Sequence, residues 1–217
     1  MTNQNSNQIA QLFLVAAAVL TLVWICPDAA YSQAPTPDPD EANVNKPAIG
    51  SSPGSIPLEK MVKNAEWIVV GDVTDLQARR EEGPYHVYTY VTVKITTTLA
   101  GGPLPEITLK LPGGTAEEVT EDVPAVPHFT KGEHVLLFAE SVPQSPGALK
   151  LLGAHQGKFS LVTKDSKWWA VNDLGEDLAE KLRSCQGPLD QCPALSGVLV
   201  HPYPDVIDEI RKIQARR

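Results

Sequence analysis

The stretch YHVYTYVTVKITTTL, residues 85–99, decides how the chain is read. Its odd positions, Val87, Thr89, Val91, Val93, Ile95, Thr97 and Leu99, share one face of an extended chain. The even positions, His86, Tyr88, Tyr90, Thr92, Lys94, Thr96 and Thr98, form a more polar face opposite. Sustained alternation of β-branched and aromatic residues predicts one β-strand, well beyond the usual length of about five or six residues. A strand that long has to bend or coil, as small barrels require of strands that turn corners.

The same period recurs on both sides. Trp67–Val73 reads as a strand that is apolar on both faces at its start, and Glu106–Leu111 alternates until Pro112-Gly113-Gly114 breaks it. His134–Glu140, Leu149–Leu152, Lys158–Val162 and Trp168–Val171 follow, with turn signals between them at Pro146-Gly147, Gly153, Gly157 and Lys164-Asp165. Thr115–Lys131 is an acidic connection. No long helical period interrupts these segments, so a parallel sheet with crossover helices is not expected. The spacing predicts an all-β sandwich or barrel.

Helical patterns flank this region. Ser55 reads as an N-cap and Pro57 as first-turn proline of a short helix, Ile56–Ala65, with Leu58, Met61, Val62 and Ala65 on one face. Beyond Asn172, residues Glu176–Ser184 have a short helical pattern, and Pro204-Asp205 opens a helix with Val206, Ile207, Ile210 and Ile213 on one side. Cys185 and Cys192 enclose QGPLDQ, whose glycine and proline let the chain turn back, and a disulfide is the expected use of the pair.

The chain has 217 residues, with 18 basic against 26 acidic side chains and a net charge of −8. That balance excludes electrostatic capture of nucleic acid or anionic lipid. Leu12–Ile25, LFLVAAAVLTLVWI, is too short to span a bilayer and fits the apolar segment of a secretory leader. Ala30 and Ser32 satisfy a small-x-small rule for cleavage after Ser32, although no Lys or Arg precedes the apolar run. Cys26 falls within this leader. Residues 33–57 carry six prolines among small polar residues and read as a solvated linker. The expected organisation is therefore a signal peptide at 1–32, a linker at 33–57, a β domain at 58–172 and a helical tail at 173–217. The destination is the periplasm or medium, with membrane attachment only through an uncleaved leader.

Several pieces fall in a familiar order: Leu58-Glu59-Lys60 with Ala65–Gly71, then Leu111–Gly114, Lys131–Phe138 and Gln156–Phe159. That order resembles an uncharacterised family of exported bacterial proteins, over roughly Pro57 to Val171. The core of that family is similar to the OB-type barrel of tissue inhibitors of metalloproteinases. The resemblance implies a mainly β protein: a small OB-like antiparallel β-barrel with a short N-terminal helix and a C-terminal helical tail. It does not imply inhibition, since those inhibitors act through a cysteine at the mature N-terminus, where this chain offers Gln33.

The sequence contains no motif that names a reaction. There is no His-Glu-x-x-His, no Gly-x-Ser-x-Gly elbow, no phosphate-cradling loop and no dinucleotide fingerprint. None of His86, His128, His134, His155 and His201 shows metal-site spacing, and no cofactor or metal is expected. Glu117, Glu118, Glu121 and Asp122 lack EF-hand spacing and read as a solvated acidic loop, the alternatives being oxygen ligands for Ca²⁺ and steering of a basic partner. Tyr88, Tyr90, Trp168 and Trp169 are candidates for an aromatic binding surface, although neighbours on a strand point to opposite faces, so one of the tryptophans belongs to a core. The expected function is a non-enzymatic exported binding module that joins such an aromatic patch to an acidic rim. Its partner is unknown, an exported protein or an envelope component. The alternatives are a hydrolase whose site assembles only in three dimensions and an envelope-structural protein.

Overall fold

The computed structural model describes residues 55–172 and 178–217. The expected leader, the linker up to residue 54 and the start of the helix expected from Glu176 lie outside the described residues. After helix α1 (Leu58–Asn64), the strands run β1 (Trp67–Arg80), β2 (Val87–Ala100), β3 (Glu106–Pro112), β4 (Gly114–Ala116), β5 (Val119–Glu121), β6 (His134–Ser141), β7 (Ala148–Leu151), β8 (Lys158–Lys164) and β9 (Lys167–Asn172). Helix α2 (Leu178–Ser184), two single 3-10 turns, strand β10 (Leu199–Pro202) and helix α3 (Tyr203–Ala215) complete the described chain.

The main sheet has eight strands in the order β1-β2-β3-β7-β6-β8-β9-β10, and β4 and β5 form a separate two-stranded ribbon. The first half of β1, Trp67–Asp72, also pairs antiparallel with β6. β3 and β7 run parallel, with Thr108 opposite Ala148 and Leu109 opposite Leu149.

This arrangement corrects the expected small antiparallel barrel, and with it the likeness to the OB-like barrel of the metalloproteinase inhibitors. The sheet is mixed. It also continues past β6 through β8 and β9 to β10, so the sheet as a whole is not a closed barrel. What stands is a mainly β protein with helices at both ends of its described chain. Alternation reports which face of a strand is buried, but not which strand lies beside it. The tail strand β10 was unforeseen because its four residues carry no run long enough to show a period.

The long strand starts at Val87 rather than Tyr85, and its alternation is kept where it matters. Val87, Val91 and Val93 are buried while Tyr88, Tyr90 and Thr92 are half-buried. β1 extends seven residues past the predicted Val73. Its second half, TDLQARR, keeps pairing with β2 as far as Arg80 opposite Val87. At Gly71 the two strands come so close that a side-chain carbon would collide with the Lys94 carbonyl, and the register shifts there.

Alternate residues of the same strands feed two cores. Ile68, Val70, Leu136, Phe138, Phe159, Leu161 and Ala170 pack beneath α1 and α3, which contribute Leu58, Met61, Val62, Val206, Ile207, Ile210 and Ile213. Val69, Val73, Val91, Val93, Leu109, Leu111, Val135 and Leu137 fill the concave side. A third cluster, Trp169, Val171, Leu178, Cys185, Leu189, Cys192 and Leu195, seats the tail. The expected disulfide joins Cys185 to Cys192, with Cα atoms 5.4 Å apart. α1 begins two residues later than predicted and has no side-chain cap. The Pro57 carbonyl takes the amides of Lys60 and Met61 instead.

Candidate functional site

The concave core is open at one end. There a cleft of about 500 Å³ lies between the inner face of β1–β3 and the segment 113–129. Leu76, Val91, Leu111, Val126 and Phe129 make its apolar floor, and Thr89, Glu121, Asp122 and His128 stand around it. The floor is continuous with the second core, against which Leu76, Val126 and Phe129 pack while remaining partly accessible. Apolar surface left at the mouth of a core is surface that a ligand can still remove from water.

The acidic segment builds one wall, and its geometry follows from local chemistry. Gly113 has φ of 89°, a conformation that side chains resist, and its N–H donates to the Val87 carbonyl at 2.8 Å. The Thr89 hydroxyl donates to the Gly113 carbonyl at 2.8 Å. β4 and β5 then fold back as a ribbon, which places Glu121 over the start of β2. Its Oε2 accepts the backbone N–H groups of His86 at 2.8 Å and Val87 at 2.9 Å. That carboxylate is fixed in place through Oε2, its other oxygen has no partner among the described residues, and Asp122 next to it is exposed.

A buried cation holds the opposite wall. Lys158 is fully buried, and its Nζ lies 2.7 Å from Glu133 Oε1 and donates to the His128 carbonyl at 2.6 Å. It also sits 4.7 Å from the centre of the Phe129 ring. Ser160 Oγ donates to the same Glu133 oxygen at 2.5 Å, and the Thr130 N–H donates to the other at 3.1 Å. An ammonium with no exposed surface needs this full set of partners. The set ties His128 and Phe129, two cleft residues, to β8.

The sequence-derived site residues do not come together in one place. Glu121 and Asp122 line the cleft, whereas Glu117 reaches Arg80 at 3.3 Å on the surface and Glu118 is exposed. Tyr88 and Tyr90 lie on the outer, convex face of the same strands, so the sheet separates them from the cleft. Trp169 is 5% exposed within the tail cluster, and Trp168 is 45% exposed with its ring 5.5 Å from that of His134. An aromatic patch continuous with the acidic rim is therefore not what the fold assembles.

What the sequence did not disclose is the company Tyr88 and Tyr90 keep. Lys110 Nζ lies 4.3 Å from the Tyr88 ring centre and 5.7 Å from that of Tyr90, and it donates to Glu81 Oε2 at 2.6 Å and to Ser145 Oγ at 3.1 Å. The Tyr90 hydroxyl donates to the other Glu81 oxygen. Cross-strand register brings these residues together, with Lys110 opposite Tyr90 and Arg79 opposite Tyr88. Recognising β1 beyond Val73 was the missing step.

Titratable groups whose pKa values are shifted converge in this cluster. The hydrogen bonds from Lys110 and Tyr90 lower the Glu81 carboxyl. The bond to Glu81 raises Lys110, and burial raises Tyr90 with Glu81 adding to it. Each group is pushed further into the state it already holds near neutrality, the reverse of what a proton-transfer catalyst requires. Elsewhere, His134 Nδ1 lies 2.7 Å from Asp72 Oδ1. The buried hydroxyl of that region, Ser160, is committed to Glu133 instead of standing as a nucleophile beside it.

Among the described residues no group of three or more His, Cys, Asp or Glu side chains is placed to hold a metal ion. His155 and Asn172 brace the cleft from below: the His155 N–H donates to the Ala125 carbonyl at 3.2 Å, and Asn172 Nδ2 donates to the carbonyl of His155 at 3.0 Å. In comparison with known proteins, no family model matches the chain and no curated protein matches it.

Proposed function

We propose that this protein is an exported, non-catalytic binding module, and that its ligand enters the cleft between the inner face of β1–β3 and the segment 113–129. The observation that carries the reading is the cleft itself: about 500 Å³ over an apolar floor that continues into the core, with Glu121 and Asp122 beside it. That volume falls within the roughly 300–1,000 Å³ common for small-molecule sites. Burial of an apolar group supplies the affinity, and the carboxylates select for a positive charge next to it. The partner is an exported protein or an envelope component that presents such a group. The sequence supports export through its leader-like segment, and the absence of any reaction motif supports binding without chemistry. The hydrolase alternative draws no support from the Glu81–Tyr90–Lys110 cluster, because each group there is held in its resting charge state.

Titrating the protein with hexylammonium and, separately, with hexanoate tests the reading by NMR. The ammonium is expected to shift the amides of residues 111–129 saturably, and hexanoate is expected to do so at least tenfold more weakly. Filling the cleft with Val126→Trp should abolish the response. Equal binding of both probes, or a response that survives the filling, would defeat it.

A further inference from the structure

A second, chemically opposite pocket lies on the convex face of the same sheet, away from the cleft. It has a volume of about 350 Å³ and is walled by Gln77 and Arg79 of β1, Tyr90 and Thr92 of β2, Thr108 of β3, and the turn Pro146-Gly147-Ala148. Gly147 has φ of 85°, and nothing lies within 4 Å of where its Cβ would be, so this wall is bare backbone facing open space. Arg79 carries the only formal charge among the residues that line the pocket.

Arg79 is pre-set rather than free to wander. Its Nη2 donates to Gln77 Oε1 at 2.7 Å, and Gln77 Nε2 in turn donates to Asp75 Oδ2 at 2.8 Å. The guanidinium lies 4.9 Å from the centre of the Tyr90 ring, and the Tyr90 hydroxyl is fixed on Glu81. Among the described residues no carboxylate pairs with Arg79. Asp75 is engaged by Gln77, and Glu81 by Lys110 and Tyr90, so Arg79 acts on Glu81 only through its charge. Thr92 and Thr108 stand directly opposite each other in the β2–β3 register, and among the described residues neither hydroxyl has a hydrogen-bond partner.

We infer that this pocket is an oxyanion site, which takes the carboxylate or phosphate group of a small polar ligand on Arg79, Thr92 and Thr108. The planar fork of a guanidinium matches two oxygens of either group at once, and its stacking on Tyr90 removes much of the entropy cost of holding it. The hydroxyls of Thr92 and Thr108, which line the same pocket, supply further donors to such a group. The volume, at the low end for ligand sites, admits one such group with a few attached atoms. The inference does not rest on the cleft reading, because the two sites lie on opposite faces and select opposite charges.

The test is a titration of the full chain by NMR, which follows the Arg79 side-chain N–H and the amides of Thr92, Thr108 and Gly147. Inorganic phosphate and acetate are added in separate arms, with sodium chloride at matched ionic strength as the reference. Saturable shifts with either oxyanion are expected, and the arm that saturates identifies the group. Arg79 is exposed, so Arg79→Met should leave the rest of the spectrum in place while weakening the response at least tenfold. Chloride shifts as large as those with both oxyanions, or a response that persists in Arg79→Met, would overturn the inference.

Discussion

Glu81 illustrates how much of this surface depends on single contacts. In the folded chain its carboxyl titrates below the ordinary value of 4.5, first because Lys110 donates to it and then because Tyr90 does. A lowered folded value means that the unfolded chain binds the proton more tightly. The contribution to stability is therefore complete above about pH 4.5 and is lost as pH falls through the lower folded value. Lys110 and Tyr90 are raised instead, so their contribution is complete below about pH 10 and is lost as pH climbs through their folded values. Urea unfolding of the parent and of Lys110→Met between pH 7 and pH 2.5 checks the acid side. The parent should be the more stable near neutrality, and the gap should narrow once Glu81 is protonated. A gap of constant size would show that Lys110 acts through packing on Tyr88 alone. At this scale the sequence was a partial guide. Tyr88 and Tyr90 stood out by their ring chemistry, but Lys158 read as an ordinary strand-start lysine, and nothing local signals that Glu133 and Phe129 will enclose it.

Elements were legible where a period or a punctuating residue exists. The alternation of β2, the Pro-Gly-Gly break after β3 and the cysteine pair all led to the right local structure. β1 was truncated because its second half alternates between a half-buried side and a polar outer face, which resembles loop composition. The adjacent tryptophans divided as strand geometry demands, Trp169 inward and Trp168 outward, with the ring of Trp168 beside that of His134. The tail is the element whose order depends most on a single bond. α2, the two 3-10 turns and the disulfide enclose Trp169 and Val171 with few apolar residues, and Lys164 Nζ donates to the Cys185 carbonyl. Closing so short a loop constrains the unfolded chain by about 2–3 kcal/mol. Cys185→Ser with Cys192→Ser should speed amide exchange over residues 178–200 and expose Trp169 to a fluorescence quencher, while β1, β2 and β6 stay protected. Uniform loss of protection throughout the sheet would mean that the tail is not a separate local unit.

The whole molecule is built so that no layer stands alone. β1 sends Ile68 and Val70 to the helix-covered core and Val69 and Val73 to the concave one, and β6 divides Leu136 and Phe138 from Val135 and Leu137 in the same way. The two helices that cover the first core come from opposite ends of the described chain. Arg217, just past α3, donates to the Val62 carbonyl of α1 at 3.0 Å, and Gln214 Nε2 of α3 donates to the Leu99 carbonyl of β2 at 2.9 Å. Pairing across such separations cannot be read from local pattern, and this is why the sheet order was missed although most strands were found. It also makes the cleft depend on a helix that does not line it. Removing Ile210 as Ile210→Ala should cost about 2–5 kcal/mol, as for other buried large-to-small changes. Because both cores share β1 and β6, that loss should appear as one unfolding transition, with the hexylammonium response disappearing at the same urea concentration as the Trp169 signal. Ending the chain before Tyr203 removes four buried side chains of the first core, Val206, Ile207, Ile210 and Ile213, and should abolish cooperative folding. Cleft binding that outlasts the loss of the first core would show that the concave core folds independently of its helical cover.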